Sequence, residues 1–247
     1  MPKITSNAQV FDVDVFKTST ERLNELGALA IDKNGNCYRY VKAGATNIVV
    51  GKLQNAPASV AHHANLTTAT ASAGATSLTV TLGATAVTAN QYAGGKITIV
   101  AGNGVGYTYT IASHPAADAS ATLVVTLDSA ESVQVATDVA DSKATLTPNT
   151  YNGIILHESG TEDSYSVGVS IMPITAGEYG WLLTKGSVAV LNGTNAPVIG
   201  RAVIASETVD GAVDTETSTG TDANRVGVGI VTGSATQYRP VFINLEK

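Results

Sequence analysis

The sequence predicts an all-β protein: a discontinuous β-sandwich or barrel with an inserted second small β-barrel or sandwich domain. The first observation behind this is an every-other-residue beat. Leu78, Val80 and Leu82 alternate with Thr79 and Thr81, and Tyr107, Tyr109 and Ile111 with Thr108 and Thr110. The same spacing recurs in Leu123/Val125/Leu127, Val167/Val169/Ile171, Val226/Val228/Ile230 and Val241/Ile243/Leu245. Successive strand side chains point to opposite faces, so this period marks sheets with one dry and one wet face. The second observation is composition: aromatic residues make up 5% and charged residues 14% of 247 residues, with Gly, Ala, Thr, Ser and Val filling the space. That palette suits tightly turned sheets better than a cleft lined with large side chains. The third is a compositional shift in the middle of the chain, where Ala and Thr dominate and charges thin out.

Taken in order, residues 1–17 read as an extended arm, because Val10 to Phe16 alternates Val, Phe and Asp like an exposed strand. Ser19 to Leu26 is the one helix candidate, with Ser19 or Thr20 as N-cap and Gly27 as the stop. Leu29-Ala30-Ile31 and Tyr38-Arg39-Tyr40-Val41 flank Asp32-Lys33-Asn34-Gly35, and Asn-Gly tolerates positive φ, so this is the clearest hairpin. Residues 61–150 form the inserted β domain, opening with the low-complexity run 67–74 and carrying strands near 77–82, 96–101, 106–112, 121–127 and 132–136. Within it, 76–82 and 122–127 echo one another. After Pro148 the composition of the first 60 residues resumes, with strands expected at 152–157, 164–172, 180–184, 187–191, 198–205, 224–231 and 240–245. Gly200, Gly211, Gly227 and Gly229 fall where bends or bulges would curve the sheet. The stretch 210–224 reads as mobile surface. Residues 18–60 with 151–247 then make the discontinuous domain.

Composition also bounds function. Fourteen Lys and Arg against twenty Asp and Glu give a formal charge of −6 with no basic run. Nucleic-acid binding relies on cations neutralising phosphates, so no nucleic-acid partner is expected. Cys37 is the only cysteine, which excludes an intramolecular disulfide and a thiolate metal cage, and it reads as a quiet half-buried thiol. No apolar run nears the roughly 18 residues needed to span a bilayer. Nor does Met1-Pro2-Lys3-Ile4-Thr5 resemble a signal peptide. The expectation is a soluble chain made in a cytoplasm, with no membrane partner.

Each motif with chemical potential has a plainer reading. Gly102-Asn103-Gly104-Val105-Gly106 leads into a Tyr-Thr-Tyr strand, whereas a phosphate loop opens a helix, so it reads as a hairpin turn. Asp32-Lys33-Asn34-Gly35-Asn36 starts like a calcium loop, but Cys37 and Ala43 stand where Gly and Glu are required. His62, His63, His114 and His157 read as solvent-exposed linker histidines, because the adjacent pair points opposite ways and cannot readily share one metal. The loop from His157 to Asp163 gathers an imidazole, Ser159 and carboxylates that a hydrolase could use, yet it lacks the Gly-x-Ser-x-Gly elbow and reads as a solvated turn. Tyr179-Gly180-Trp181 could stack a sugar, although a lone Trp in a sheet protein more often anchors a core. No catalytic, cofactor-binding or metal residues are assigned, and an enzyme is not expected.

The string Leu26-Gly27-Ala28-Leu29-Ala30-Ile31-Asp32-Lys33-Asn34-Gly35, running into Tyr38-Arg39-Tyr40-Val41-Lys42-Ala43-Gly44, resembles a family of virion structural proteins from marine tailed bacteriophages. Gly177 to Gly186, Val87 to Gly95 and Gly104 to Ile111 carry the same resemblance. It implies a head decoration, or cement, protein on the outer capsid surface, with the major capsid protein and sister subunits as partners, commonly as a homotrimer at local three-fold positions. An acidic chain suits a shell's exterior, and a strand-like arm can add to a neighbour's sheet edge. Many copies held at once strengthen a shell by avidity. Two rivals remain: a tail, baseplate or fibre component with a carbohydrate-binding β domain, and a cell-wall hydrolase using Glu158.

Overall fold

Asp32-Lys33-Asn34-Gly35 folds as the turn its residues demand. Gly35 takes φ +81°, its N–H donates to the Asp32 carbonyl at 3.0 Å, and the Asp32 carboxylate accepts the N–H groups of Asn34 and Asn36. The hairpin so formed joins β1 (Leu29–Ile31) to β2 (Cys37–Ala43), with Ala30 opposite Tyr38. The computed structural model describes residues 14–160, 164–217 and 225–246. They are almost wholly strand and turn, and the chain is all-β.

The chain divides into two compact units, Met1–Ala58 with Thr150–Lys247, and Ser59–Asn149. In the second unit a short 3-10 turn at Ala61–His63 precedes β4 (Leu66–Thr68), β5 (Ser77–Thr81), β6 (Lys96–Ala101), β7 (Thr108–Ser113), β8 (Thr122–Leu127) and β9 (Lys143–Thr147). These close into a barrel in the order β4-β5-β8-β7-β6-β9. Closure leaves no unpaired sheet edge. The two echoing segments are barrel neighbours, Ser77 to Thr81 pairing antiparallel with Thr126 to Thr122. Inward residues such as Leu78, Val80, Ile97, Ile99, Ile111, Leu123 and Val125 form a single core, while the intervening threonines face outward. Residues 132–136 are not a strand; Val133 is buried there without a ladder. The closing strand is instead β9, which pairs with both β4 and β6.

The first unit adds β3 (Leu53–Asn55), β10 (Asn152–Leu156), β11 (Ser166–Ser170), β12 (Tyr179–Leu191), β13 (Ala202–Ala205), β14 (Val213–Thr215), β15 (Arg225–Gly229) and β16 (Tyr238–Asn244). They join β1 and β2 in one sheet, ordered β1-β2-β10-β3-β11-β12-β16-β15-β13-β14, and an extra β2–β12 pairing closes the circuit β2-β10-β3-β11-β12. Two cores result. Val41, Ala43, Ile154, Val167 and Leu182 form one; Tyr38, Tyr40, Val169, Trp181, Leu183, Val203, Val226, Val241 and Ile243 belong to the other. Strands β2, β11 and β12 feed both, so β11 is buried at every residue and β12 from Gly180 to Thr184. A strand dry on both faces loses its alternation.

Several expectations are corrected here. The segments at 180–184 and 187–191 are one long strand, β12. Ser19–Leu26 is not helical, because Ser19 makes an isolated bridge whose N–H and C=O both bond Tyr179, which holds the backbone extended there. A helix of that length has too few bonds to resist such a tertiary demand. Residues 1–13 of the proposed arm lie outside the described residues. Residues 14–17 form a turn rather than an extended strand: Lys17 N–H bonds the Asp14 carbonyl, Phe16 N–H bonds the Asp14 carboxylate, and Val15 enters the core. Within 210–224, Val213–Thr215 is a fully buried strand and not mobile surface, while 218–224 lie outside the described residues. Gly227 and Gly229 mark close backbone approaches: a Cβ on Gly227 would sit 2.0 Å from the Phe242 carbonyl oxygen.

Candidate functional site

Among the described residues of the loop that gathers the most reactive side chains, His157 and Ser159 do not bond one another. His157, at the end of β10, is buried; its Nε2 donates to the Ser206 carbonyl at 2.8 Å, and its Nδ1 faces the Asn55 amide at 3.4 Å. Ser159 turns the other way, donating both N–H and Oγ–H to the Asp210 carboxylate at 2.8 and 2.7 Å. Those two bonds, with minor electrostatic help from His157 and Lys52, hold the Asp210 carboxyl below the usual range. The Ser159 hydroxyl is thus held by the Asp210 carboxylate, while the His157 imidazole bonds elsewhere and does not face it. Residues 161–163 lie outside the described residues.

The reading of the histidines as solvent-exposed holds only for His62 and is corrected for the other three. His63 is fully buried, 2.6 Å from the Tyr92 hydroxyl through Nδ1 and 2.9 Å from the Thr85 carbonyl through Nε2. His114 Nε2 accepts the Tyr92 N–H at 3.0 Å, and Nδ1 donates to the Pro115 carbonyl at 2.8 Å. Burial pushes the Tyr92 phenol up to about 12, so it stays a hydrogen-bond donor. These rings satisfy buried polar groups around the barrel core.

Other candidates are equally occupied. Asp32 also accepts from Asn36 Nδ2 and the Tyr38 hydroxyl; burial alone would raise its carboxyl, but these bonds outweigh that and lower it. Cys37 is half-buried, and burial, aided by the nearby Glu246 charge, raises its thiol away from the reactive thiolate. Gly102 and Gly104 adopt φ +70° and +81° in a hairpin turn between β6 and β7. Trp181 is 2% exposed and packs edge-on to Tyr40 at 5.1 Å; Tyr40 in turn stacks on Tyr179 at 5.9 Å. The tryptophan face is therefore closed to a sugar. Among the described residues, no three His, Cys, Asp or Glu side chains gather to hold a metal ion, and no helix is long and apolar enough to cross a membrane.

The first unit also exposes an apolar face. On the outer face of β12, β16 and β15, Ser187 stands opposite Phe242, Ala189 opposite Pro240, and Val228 on the other side of Phe242. Val198 and Ile199, also exposed, lie in the loop that packs over Gly229. Nearby, an open groove of about 550 Å³ is lined by Phe16, Val49, Val50, Ile171, Ala189 and Tyr238. Such a face offers contact area and shape, not proton transfer. The sequence held a faint signal for the groove in Ile48-Val49-Val50, an apolar run that breaks the alternation just before Gly51. No protein-family model, no curated protein and no solved structure matches this chain.

Proposed function

We propose that this chain is a virion structural protein that decorates and stabilises the outer surface of a tailed-phage capsid, binding the major capsid protein and sister subunits, with no active site. The observation that carries the reading is the outer face of β12, β16 and β15, where Phe242, Pro240 and Val228 stand exposed among Ser187 and Ala189. Large apolar side chains among small ones, with few charges, are the makings of a protein-binding surface. The net charge of −6 and the resemblance of its turn-and-strand strings to phage decoration proteins support the same reading. Stable attachment would need an interface on the order of 1,000 Å² or more per contact, multiplied by avidity over the shell.

Capsids stripped of the chain, mixed with purified protein and pelleted, test this. The chain co-sediments, and Phe242→Asp abolishes co-sedimentation while leaving the fold intact; wild-type protein that stays in the supernatant refutes the reading. A tail component with a sugar-binding domain would bind a glycan array instead. A hydrolase would release peptidoglycan fragments and lose that activity on Glu158→Ala.

A further inference from the structure

The chain carries four Asn-Gly pairs: Asn34-Gly35, Asn103-Gly104, Asn152-Gly153 and Asn192-Gly193. A backbone nitrogen can attack the side-chain amide of the asparagine before it, and glycine, without a Cβ, hinders that approach least. The attacking N–H must first give up any hydrogen bond that holds it, and the asparagine must be reachable by water. The fold therefore ranks the four pairs.

Three are protected. Gly35 N–H donates to the Asp32 carbonyl at 3.0 Å, and the Asn34 N–H is held by the Asp32 carboxylate at 2.8 Å. Gly193 N–H donates to the Val213 carbonyl at 2.9 Å, and Asn192 is fully buried with its Nδ2 on the Ser234 carbonyl. Asn152 and Gly153 lie in β10, half-buried and paired with β2. Asn103-Gly104, in the turn between β6 and β7, differs. The Asn103 side chain is exposed, and neither its amide nor the Gly104 N–H bonds any group among the described residues. The Asn103 carbonyl accepts the Ser142 hydroxyl at 2.9 Å, which stabilises negative charge on the peptide unit and so makes the Gly104 N–H easier to deprotonate.

We propose that Asn103 is a site of spontaneous modification. The Gly104 nitrogen bonds to the Asn103 Cγ, the Cγ–Nδ2 bond breaks, and ammonia leaves with the Gly104 proton, closing a cyclic imide. Water then opens either imide C–N bond, giving aspartate or isoaspartate. Both products put a carboxylate beside that of Asp141, whose Oδ1 lies 3.4 Å from the Asn103 N–H, and isoaspartate also adds a methylene to the main chain of a tight turn. The bonds from Asp141 and Ser142 that tie this hairpin to the loop before β9 are thereby weakened, and the barrel loosens with age at one end. This inference concerns the barrel alone and does not depend on the capsid reading.

Ageing the full-length chain in mildly alkaline buffer, then mapping tryptic peptides by mass spectrometry with electron-transfer fragmentation, tests it. The peptide Ile97–Lys143 contains no asparagine besides Asn103, so its deamidated form reports that site alone. Asn103 converts about tenfold faster than Asn34, the factor expected when no hydrogen bond has to be released, and isoaspartate is found at position 103. Asn103→Gln, which alters an exposed side chain, removes the product. Amide hydrogen exchange in β6 and β7 rises with age in the wild type and stays constant in the variant. Asn103 left intact, conversion at Asn34, Asn152 or Asn192 as fast as at Asn103, or exchange rising equally in Asn103→Gln would each overturn the proposal.

Discussion

The two units solve the same problem differently. In Ser59–Asn149, six strands close around one core, and burial alternates along them: β8 reads exposed and buried in turn from Thr122 to Leu127. In the other unit, β2, β11 and β12 serve two cores at once, and Trp181, Leu182, Leu183 and Thr184 are all buried in succession. A barrel with one core can keep every second position small and polar. A wall shared between two cores cannot, so each of its residues is under packing constraint, and the sheet beyond it is left to carry apolar side chains outward at Phe242 and Val228.

If that contrast is right, truncations should act unit by unit. Trp181→Ala empties the centre of the larger core beside Tyr40 and costs about 4 kcal/mol. Calorimetry should show the transition of the first unit lowered and that of the barrel unmoved. Leu123→Ala removes a fully buried barrel side chain and costs about 3 kcal/mol, lowering only the barrel transition. A common shift in both variants would break the comparison.

A third change probes the sheet beyond the shared wall. Gly227→Ala drives a methyl into the Phe242 carbonyl across the β15–β16 ladder, at a cost of about 2 kcal/mol. Faster amide hydrogen exchange in β15 and β16, with the barrel strands unchanged, is the expected readout.

How far the sequence reveals this architecture follows the same division. Strands at 77–81, 96–101 and 122–127 stand close to where Thr-Leu-Thr-Val alternation puts them, because a one-core barrel wets every other residue. Leu53-Gln54-Asn55 and Val213-Asp214-Thr215 escape that reading, since all six residues are buried. In the second segment the polar members are hidden by pairing: Asp214 accepts the Asn195 N–H at 2.7 Å, and Thr215 bonds the Ala196 carbonyl and the Val198 N–H. His63 and His114 pass for surface residues for the same reason, as only the fold brings Tyr92 and Thr85 to them. Trp181 is legible as a core anchor from its uniqueness, whereas the groove joins residues as distant as Phe16 and Tyr238 and has no local signature beyond Val49-Val50.

The smallest expected effect lies at the end of the chain. Arg39 grips Glu246 with two bonds of 2.8 and 2.6 Å, and Thr184 adds a third at 2.6 Å. Burial alone would raise the Glu246 carboxyl, but these bonds outweigh it and lower it from 4.5. A carboxyl depressed by folding contributes stability that is fully present above its unfolded value and is lost as pH falls through its folded value. Glu246→Gln should therefore cost about 1 kcal/mol at pH 7 and progressively less below pH 4.5. Urea titrations at several pH values would show the two curves converging in acid; a gap that widened there would contradict the assignment.

The proposed role is attachment to protein subunits on the outside of a phage capsid. Its most direct test is immunolabelling of gradient-purified phage particles, with an antibody against this chain viewed by electron microscopy. Label distributed over the outside of the heads is the predicted result. Label confined to the tails, or missing from the particles altogether, would contradict it.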